Sequence, residues 1–335
     1  MAPITIKDIA RKLNLSPSTI SRALRDHPNI SADTKEKVLA FADKFKYQPN
    51  LIAQSLQNQK TNTIGVVVPE IKHDFFSSVI SGIEAVAYEA GYTIMVCQNN
   101  ESYDREVLNL KSLISHRVAG ILISISQETK KTDHLKAAMH HGIPLVLFDR
   151  IAEGLDTSKV MVDDLEGAYN AVEYLIRAGY RRIAHLAGPR HISISLDRLK
   201  GYQQALKKNR IPVKNELIIY GGLQEQDGQK GVEKLLALNQ PPEALFAVND
   251  PVAVGALIFL KNKGLRIPED MALIGFSNNQ VSALIEPPLT TVDQPASEMG
   301  KTAATLLLEQ IRSTTKSFQP QVRLLKTKLI VRKST

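Results

Sequence analysis

Polar and charged residues punctuate the apolar runs of this chain at regular places. Glu70, Ser124, Asp149, Arg190, Asn249, Asp250, Ser277 and Asn278 each stand where an apolar run stops, and Arg198 opens the helical pattern that follows Arg190. Carboxylate, guanidinium and amide groups grip hydroxyls bidentately, so Asp149, Arg198 and Asn249 are candidate ligand contacts. Phe75 or Phe76 would offer an apolar face to a ring. Ser124, Ser277 and Gln294 complete the candidate set. Any one of these residues reads equally well as a helix cap or a loop hydrogen bond; the converging set favours ligand binding.

Catalytic chemistry finds no footing. The chain has no G-x-G-x-x-G, no phosphate-binding G-x-x-x-x-G-K-[ST], no G-x-S-x-G and no His or Cys spacing suited to a metal. His140 and His141 precede Gly142 at a helix end, where C-terminal capping explains them better than a metal site. Cys97 sits in an apolar run and reads as a core residue. A binding protein without cofactor or metal is expected, not an enzyme.

A second kind of chemistry is written near the start. Residues 1–60 hold ten Lys and Arg against five Asp and Glu, within a chain of 335 residues whose net charge is +8. A basic head suggests a polyanionic partner. Ile6, Ile9, Ala10 and Leu13 follow the helical period after Thr5, a plausible cap. In "NLSPSTISRALRD", Ser16 is a natural N-cap and Pro17 suits the first helical position. A third helix is expected from about Ala32 to Phe45, burying Val38, Phe41, Ala42 and Phe45. Only Asn14 and Leu15, with the Ser16 cap, separate the first two helices, which is a helix-turn-helix connection. The outer face of the second helix carries Pro17, Ser18, Ser21, Arg22 and Arg25, small enough to enter a major groove and able to read guanine edges or phosphates. Ser16, Thr19 and Ser21 are candidate phosphate donors. Thr5 and Asn29 are further candidate DNA contacts.

The elements that must hold the ligand-binding residues come after Thr61. "TIGVVVPE" is apolar without alternation, as a buried parallel strand should be. Helices near 76–90, 105–115 and 133–140 then alternate with "TIMVCQ", "VAGILIS" and "IPLVLFD". The order repeats: "RRIAHLAGP", "LIIYGG", "PEALFAVND" and "DMALIGFSN" answer the four strands of the first half. Two similar doubly wound lobes are expected, with ligand bound where the carboxyl ends of their strands meet. A further helix follows Thr291, and "VRLLKTKLIVRKST" closes the chain as a final strand. No run approaches the ~18 apolar residues of a membrane span, no signal peptide is evident, and one cysteine suits a reducing cytoplasm.

With these segments in place, the chain resembles the lactose/galactose repressor family of bacterial transcription regulators. "TIKDIARKLNLSPSTISRAL", "YQPNLIAQSL", "RVAGILIS", "LFDR", "RLKGY", "VNDPVAVGAL", "RIPEDMALIGFSN" and "PPLTTVDQP" carry the likeness in order over nearly the whole chain. The resemblance implies a small all-α helix-turn-helix head at 1–48, a hinge helix and linker at 49–60, and an α/β two-lobed periplasmic-binding-protein-like body at 61–335. Lobe 1 would hold about 61–161 and 292–321, and lobe 2 about 162–291 and 322–335. Ser16, Pro17, Ser18, Thr19, Ser21 and Arg22 match the operator-reading segment. Asn50 would start the hinge, Ala53 would let paired hinges approach, and Leu56 would wedge between base pairs; a helix too short to persist alone folds on DNA and kinks it. Asp149, Arg198 and Asn249 match effector contacts of sugar-responsive members. Ser277, in "GFSNN", stands where many members carry Asp, and "IKHDFF" replaces the commoner "NPFF".

The expected protein is a cytoplasmic, nucleoid-associated homodimer on a pseudo-palindromic operator, most simply a repressor, with a sugar or sugar derivative between its lobes. No leucine heptads follow the last strand, so no tetramerising coil is expected. A nucleoside or purine corepressor is the alternative ligand. A solute receptor for uptake is the alternative function, disfavoured by the head.

Overall fold

The computed structural model describes residues 4–24, 26–47, 61–313 and 318–335. Two compact units divide the chain, residues 1–61 and residues 62–335. In the first, α1 (Ile6–Leu13), α2 (Pro17–Leu24) and α3 (Ala32–Lys44) surround a core of Ile9, Ala10, Ile20, Ala23 and Val38. Thr5 and Asp8 cap α1 reciprocally: the Asp8 amide donates to Thr5 Oγ1 at 3.3 Å, and the Thr5 amide to Asp8 Oδ2 at 3.0 Å. Asn14 ends α1 in the left-handed region at φ 54°, a conformation Asn tolerates, and so makes the tight turn. Ser16 Oγ accepts the Thr19 amide at 3.0 Å, capping α2 as expected. Phe45 departs from the expected buried stripe. Because α3 ends at Lys44, Phe45 leaves the helical phase, stays 48% exposed and leans on Phe41 with ring centroids 4.6 Å apart.

The second unit opens with β1 (Thr63–Val68), α4 (Asp74–Glu89), β2 (Thr93–Gln98), α5 (Tyr103–Ser115), β3 (Gly120–Ile123), α6 (Asp133–His140), β4 (Leu145–Phe148) and β5 (Ser158–Val162). It continues through α7 (Asp164–Arg177), β6 (Ile183–Leu186), α8 (Ser193–Lys208), β7 (Ile218–Ile219), α9 (Glu225–Leu236), β8 (Ala244–Ala247) and α10 (Asp250–Asn262). Then come β9 (Ala272–Ser277), α11 (Gln280–Leu284), β10 (Thr290–Asp293), α12 (Ala296–Arg312), β11 (Val322–Leu325) and β12 (Lys328–Ile330). The strands form two sheets, in the orders β11-β5-β4-β3-β1-β2 and β12-β10-β9-β8-β6-β7. Position by position the second order repeats the first, so the internal repeat read from the sequence is a repeat of architecture. β3, β4 and β8 are buried at every residue, because helices cover both faces of each sheet.

Close helix crossings seal those faces. Gly82 of α4 and Gly300 of α12 let the two helices touch backbone to backbone: a Cβ on Gly82 would stand 2.1 Å from the Ser297 carbonyl oxygen. The chain passes between lobes three times, at Asp163, at Gln294–Pro295 and at Lys326–Thr327. The last passage corrects the expected single closing strand. Running on through both lobes, the chain meets β5 parallel as β11 and β10 antiparallel as β12. The expected lobe boundaries shift with it: residues 322–325 belong to the first sheet, and Val292 and Asp293 to the second.

Candidate functional site

Within the head, most of the described candidate DNA contacts are exposed. Ser16, Pro17, Ser18, Arg22 and Asn29 are exposed, and Thr19 and Ser21 are half-buried. Ser16 Oγ lies 2.7 Å from Ser18 Oγ and 2.8 Å from Thr19 Oγ1, so the three hydroxyls form one cluster at the start of α2. Thr5 is exposed too, but its hydroxyl is committed to Asp8 Oδ2 at 2.6 Å. Arg25, Asn50, Ala53 and Leu56 lie outside the described residues.

In the body, the strand ends of both lobes enclose a cleft with about 450 Å³ of empty volume, mouth included. From the first lobe come Phe75 and Phe76, buried at the start of α4, their rings edge to face at 5.1 Å. Asp149 follows β4 at φ 59°, and burial pushes its carboxyl up although Arg150 and Arg198 pull it down. Arg150 Nη1 donates to both oxygens of Glu101, at 2.9 and 2.8 Å, while its Nε has no hydrogen-bond partner.

From the second lobe, Arg198 projects from α8 and is only 1% exposed. Its Nε donates to Asp164 Oδ1 at 2.8 Å, its Nη1 to the Val248 carbonyl, and its guanidinium carbon lies 3.7 Å from the Phe276 ring centroid. Burial pushes the Asp164 carboxyl up to about 7, against the pull of Arg198 and with help from Asp149. Ser277, at φ 132°, and Gln294, at the second lobe passage, are joined by a 3.3 Å hydrogen bond from Gln294 Nε2 to Ser277 Oγ. Arg198 Nη2 lies 2.7 Å from Asp164 Oδ1, whereas two buried polar atoms on this side have no partner, Asn279 Oδ1 and Gln294 Oε1. Unpaired buried polar groups cost free energy unless something completes them.

Seven of the eight candidate contacts therefore line one cleft. Ser124 does not: it is fully buried one layer behind, donating to Asp149 Oδ2 at 3.2 Å. Asn249 is partly spent on structure, since its Oδ1 caps α10 through the Val252 amide and its Nδ2 donates to the Leu223 carbonyl, both at 2.9 Å. Among the other strand-end residues, Glu70 takes His73 Nε2 at 2.8 Å and Arg190 lies over Tyr220. Asp250 is completely buried and accepts from Ser282, Thr291 and the Asn279 amide, holding the loop after β9. Asn278 ties Asp293 to Arg332. Arg150, Glu101, Asp164 and Asn279 were not foreseen. Arg150 is adjacent to Asp149 in "LFDR", but Glu101 and Asp164 arrive only by folding. No group of His, Cys, Asp or Glu suited to a metal occurs among the described residues.

Across the mouth, the lobes are bridged by the Ile151 amide to Ser193 Oγ (3.3 Å), Lys72 Nζ to Gln224 Oε1 (3.3 Å) and the Gln280 amide to Asp74 Oδ2 (2.8 Å). A two-lobed cleft with such bridges, and a separate helix-turn-helix unit, meet in known proteins. Residues 5–50 match the family of bacterial regulatory proteins, lacI family, and residues 61–329 match the periplasmic binding proteins and sugar binding domain of LacI family. The chain belongs to the LacI family. It is a ligand-responsive, DNA-binding transcription regulator of that family, whose members are regulators rather than enzymes. Among its relatives, the HTH-type transcriptional repressor PurR of Vibrio atlanticus (strain LGP32) is 34% identical over 308 residues, 92% of each chain. Two solved LacI-family structures are similar along the whole chain. The lac repressor dimer bound to operator and the anti-inducer ONPF is 25% identical with a TM-score of 0.85, covering 99% of both chains. The transcriptional regulator CelR–cellobiose complex is 28% identical with a TM-score of 0.76, covering 99% of this chain and all of the other. Among the described residues no helix is long and apolar enough to cross a membrane.

Proposed function

We propose that the chain acts as a homodimeric repressor on a pseudo-palindromic operator, and that a neutral sugar or sugar derivative in the cleft sets its operator affinity. The observation that carries this reading is the set of buried atoms without a hydrogen-bond partner, Arg150 Nε, Asn279 Oδ1 and Gln294 Oε1, around one cleft walled by Phe75 and Phe76. Two acceptors and a donor suit a ligand rich in hydroxyls. Charge narrows the class further. Arg150 and Arg198 face Glu101, Asp149 and Asp164, so no positive charge is spare for an acid or a phosphate. The cellobiose complex of CelR is consistent with a sugar. A nucleoside or purine is the second reading, supported by the edge-to-face phenylalanines, which would take a flat base as readily as a pyranose. In the regulator, Ser16, Pro17, Ser18, Thr19, Ser21 and Arg22 read or grip the operator.

A thermal-shift screen of neutral sugars, sugar acids, nucleosides and purines tests the proposal, since a ligand raises the melting temperature by mass action. Stabilisation by a neutral sugar is the expected result. Stabilisation by sugar acids alone would overturn the charge argument, and stabilisation by nucleosides alone would select the second reading.

A further inference from the structure

The positive charge of the chain is distributed in a way that the head does not explain. Residues 177–214 hold ten Lys and Arg against a single Asp, a net +9, while residues 1–60 contribute +5 and all other residues −6. Two of the ten are engaged elsewhere: Arg198 is buried on Asp164, and Arg190, though exposed, stacks over the Tyr220 ring. Arg177, Arg182 and Lys200 pair with Glu173 (3.3 Å), Glu216 (2.7 Å) and Asp197 (2.8 Å). Lys208 donates to the Tyr169 hydroxyl at 2.7 Å. Arg181 is held by the Ile176 carbonyl at 2.7 Å. Lys207, Arg210 and Lys214 are exposed and form no ion pair among the described residues.

Helix chemistry accounts for one of these three. Lys207 is in the last turn of α8, where a cation suits the carboxyl end of the helix dipole. Arg210 and Lys214 stand beyond the helix and gain nothing from it. Between them runs Ile211-Pro212-Val213, with Ile211 half-buried and both Pro212 and Val213 exposed, the valine at 39%. This apolar strip divides two grooves that share Arg210, Ile211 and Pro212. One is floored by Ile183, Leu206 and Leu217 and rimmed by Arg181 and Lys214; the other runs along α8 past Gln203 and Lys207. The strip lies at the far end of α8 from Arg198, roughly 15 Å along the helix from Arg198 to Lys208 at the rise of an α-helix, so it is separate from the ligand cleft.

We propose that this groove docks an acidic peptide segment of a partner protein, one that carries an apolar side chain among its carboxylates. Charge complementarity selects an acidic partner, because Lys207, Arg210 and Lys214 form no ion pair among the described residues of an otherwise acidic body, and Lys214 only shares with Arg182 the field of Glu216. The apolar strip selects peptide over nucleic acid. A phosphodiester backbone would satisfy the cations and leave Ile211, Pro212 and Val213 uncovered, whereas an apolar side chain beside carboxylates covers both.

The test uses the full chain and three fluorescent probes at physiological ionic strength, read by anisotropy. The first is a helical peptide of about twelve residues built from Glu and Leu. The second has every Leu replaced by Ser, and the third is a duplex of arbitrary sequence. The Leu-bearing peptide should bind about tenfold or more tightly than its Ser counterpart. The variant K207E/R210E/K214E should weaken that binding by about tenfold or more, and Val213→Ser by several-fold. All three positions are exposed, so the variants should keep the parent melting temperature, which the same samples report. Equal binding of the two peptides, or an unchanged affinity in the charge-reversed variant, overturns the proposal. So does a duplex affinity that falls tenfold in that variant while the Leu-bearing peptide is not held, since the patch would then be a nucleic-acid surface.

Discussion

Asp149 and Arg198 face the same cleft but stand in different debts to the fold. Arg198 is the countercharge of Asp164 and is itself buried, so Arg198→Ala should both end ligand binding and destabilise the body. Removing one partner of a buried pair costs about 3–5 kcal/mol. Asp149 has a carboxyl that burial already pushes toward the neutral form, and Asn tolerates its left-handed φ. Asp149→Asn should therefore fold with stability within about 1 kcal/mol of the parent, yet lose about tenfold or more in ligand affinity. Calorimetry beside urea unfolding checks both, and undiminished ligand affinity in both variants would place the site elsewhere. The pH dependence follows from Asp164. Its folded pKa of about 7 lies above the ordinary carboxylate value of 3.8, so the folded state holds a proton that the unfolded state has released. The stability this group contributes is complete below pH ~4 and is lost as pH rises through about 7, with a slope no steeper than about 1.4 kcal/mol per pH unit. Asp164→Asn should remove that slope. Comparing parent and variant at each pH cancels other groups, including His185, which burial holds near 4 and which acts in the opposite direction.

At the scale of elements, the helices were legible where caps and periodicity agreed. Thr5, Ser16 and Ser31 start α1, α2 and α3 as their residue types require, and α6 spans the expected residues. Phe45 was misplaced because periodicity cannot tell where a helix stops. Asn249 shows the converse: a residue type suited to gripping ligand is also a good N-cap, and here it caps α10. Gly82 and Gly300 were silent in the sequence, although they set how closely α4 and α12 approach. Gly82→Ala should push the two helices apart and destabilise the body by about 1–3 kcal/mol, as overpacking does. Denaturation followed in the body, with the head as internal reference, measures it; an unchanged midpoint would mean that the crossing relaxes freely.

For the whole molecule, the three passages between lobes make the cleft the place where a ligand can bias the arrangement of the two sheets. A ligand shifts such an equilibrium only by its differential affinity for the two arrangements, and the coupling to operator binding is reciprocal. Removal of residues 1–60 should abolish DNA binding and leave ligand affinity unchanged to within a few-fold, as checked by calorimetry on the shortened chain beside an operator titration. Loss of both would show that the head contributes to the cleft.

The head's helices, the alternation of strands and helices and their repetition were legible in the chain, because they depend on local signals: caps, apolar periods and turn residues within a few positions of one another; the family was legible from motifs kept in order along the chain. The sequence also named Phe75, Phe76, Asp149, Arg198 and Gln294 as candidates, and these line one cleft. Which charges meet was not legible before the chain was folded. Glu101 with Arg150, Asp164 with Arg198, and the split of the last strands between two sheets join residues from different elements, and no local period records such a pairing. The same is true of Ser124, whose type suited a ligand contact but whose layer in the sheet put it behind Asp149. Burial then set the protonation of Asp149 and Asp164, because the cost of a charge depends on how much water surrounds it, and that is a property of the packed molecule.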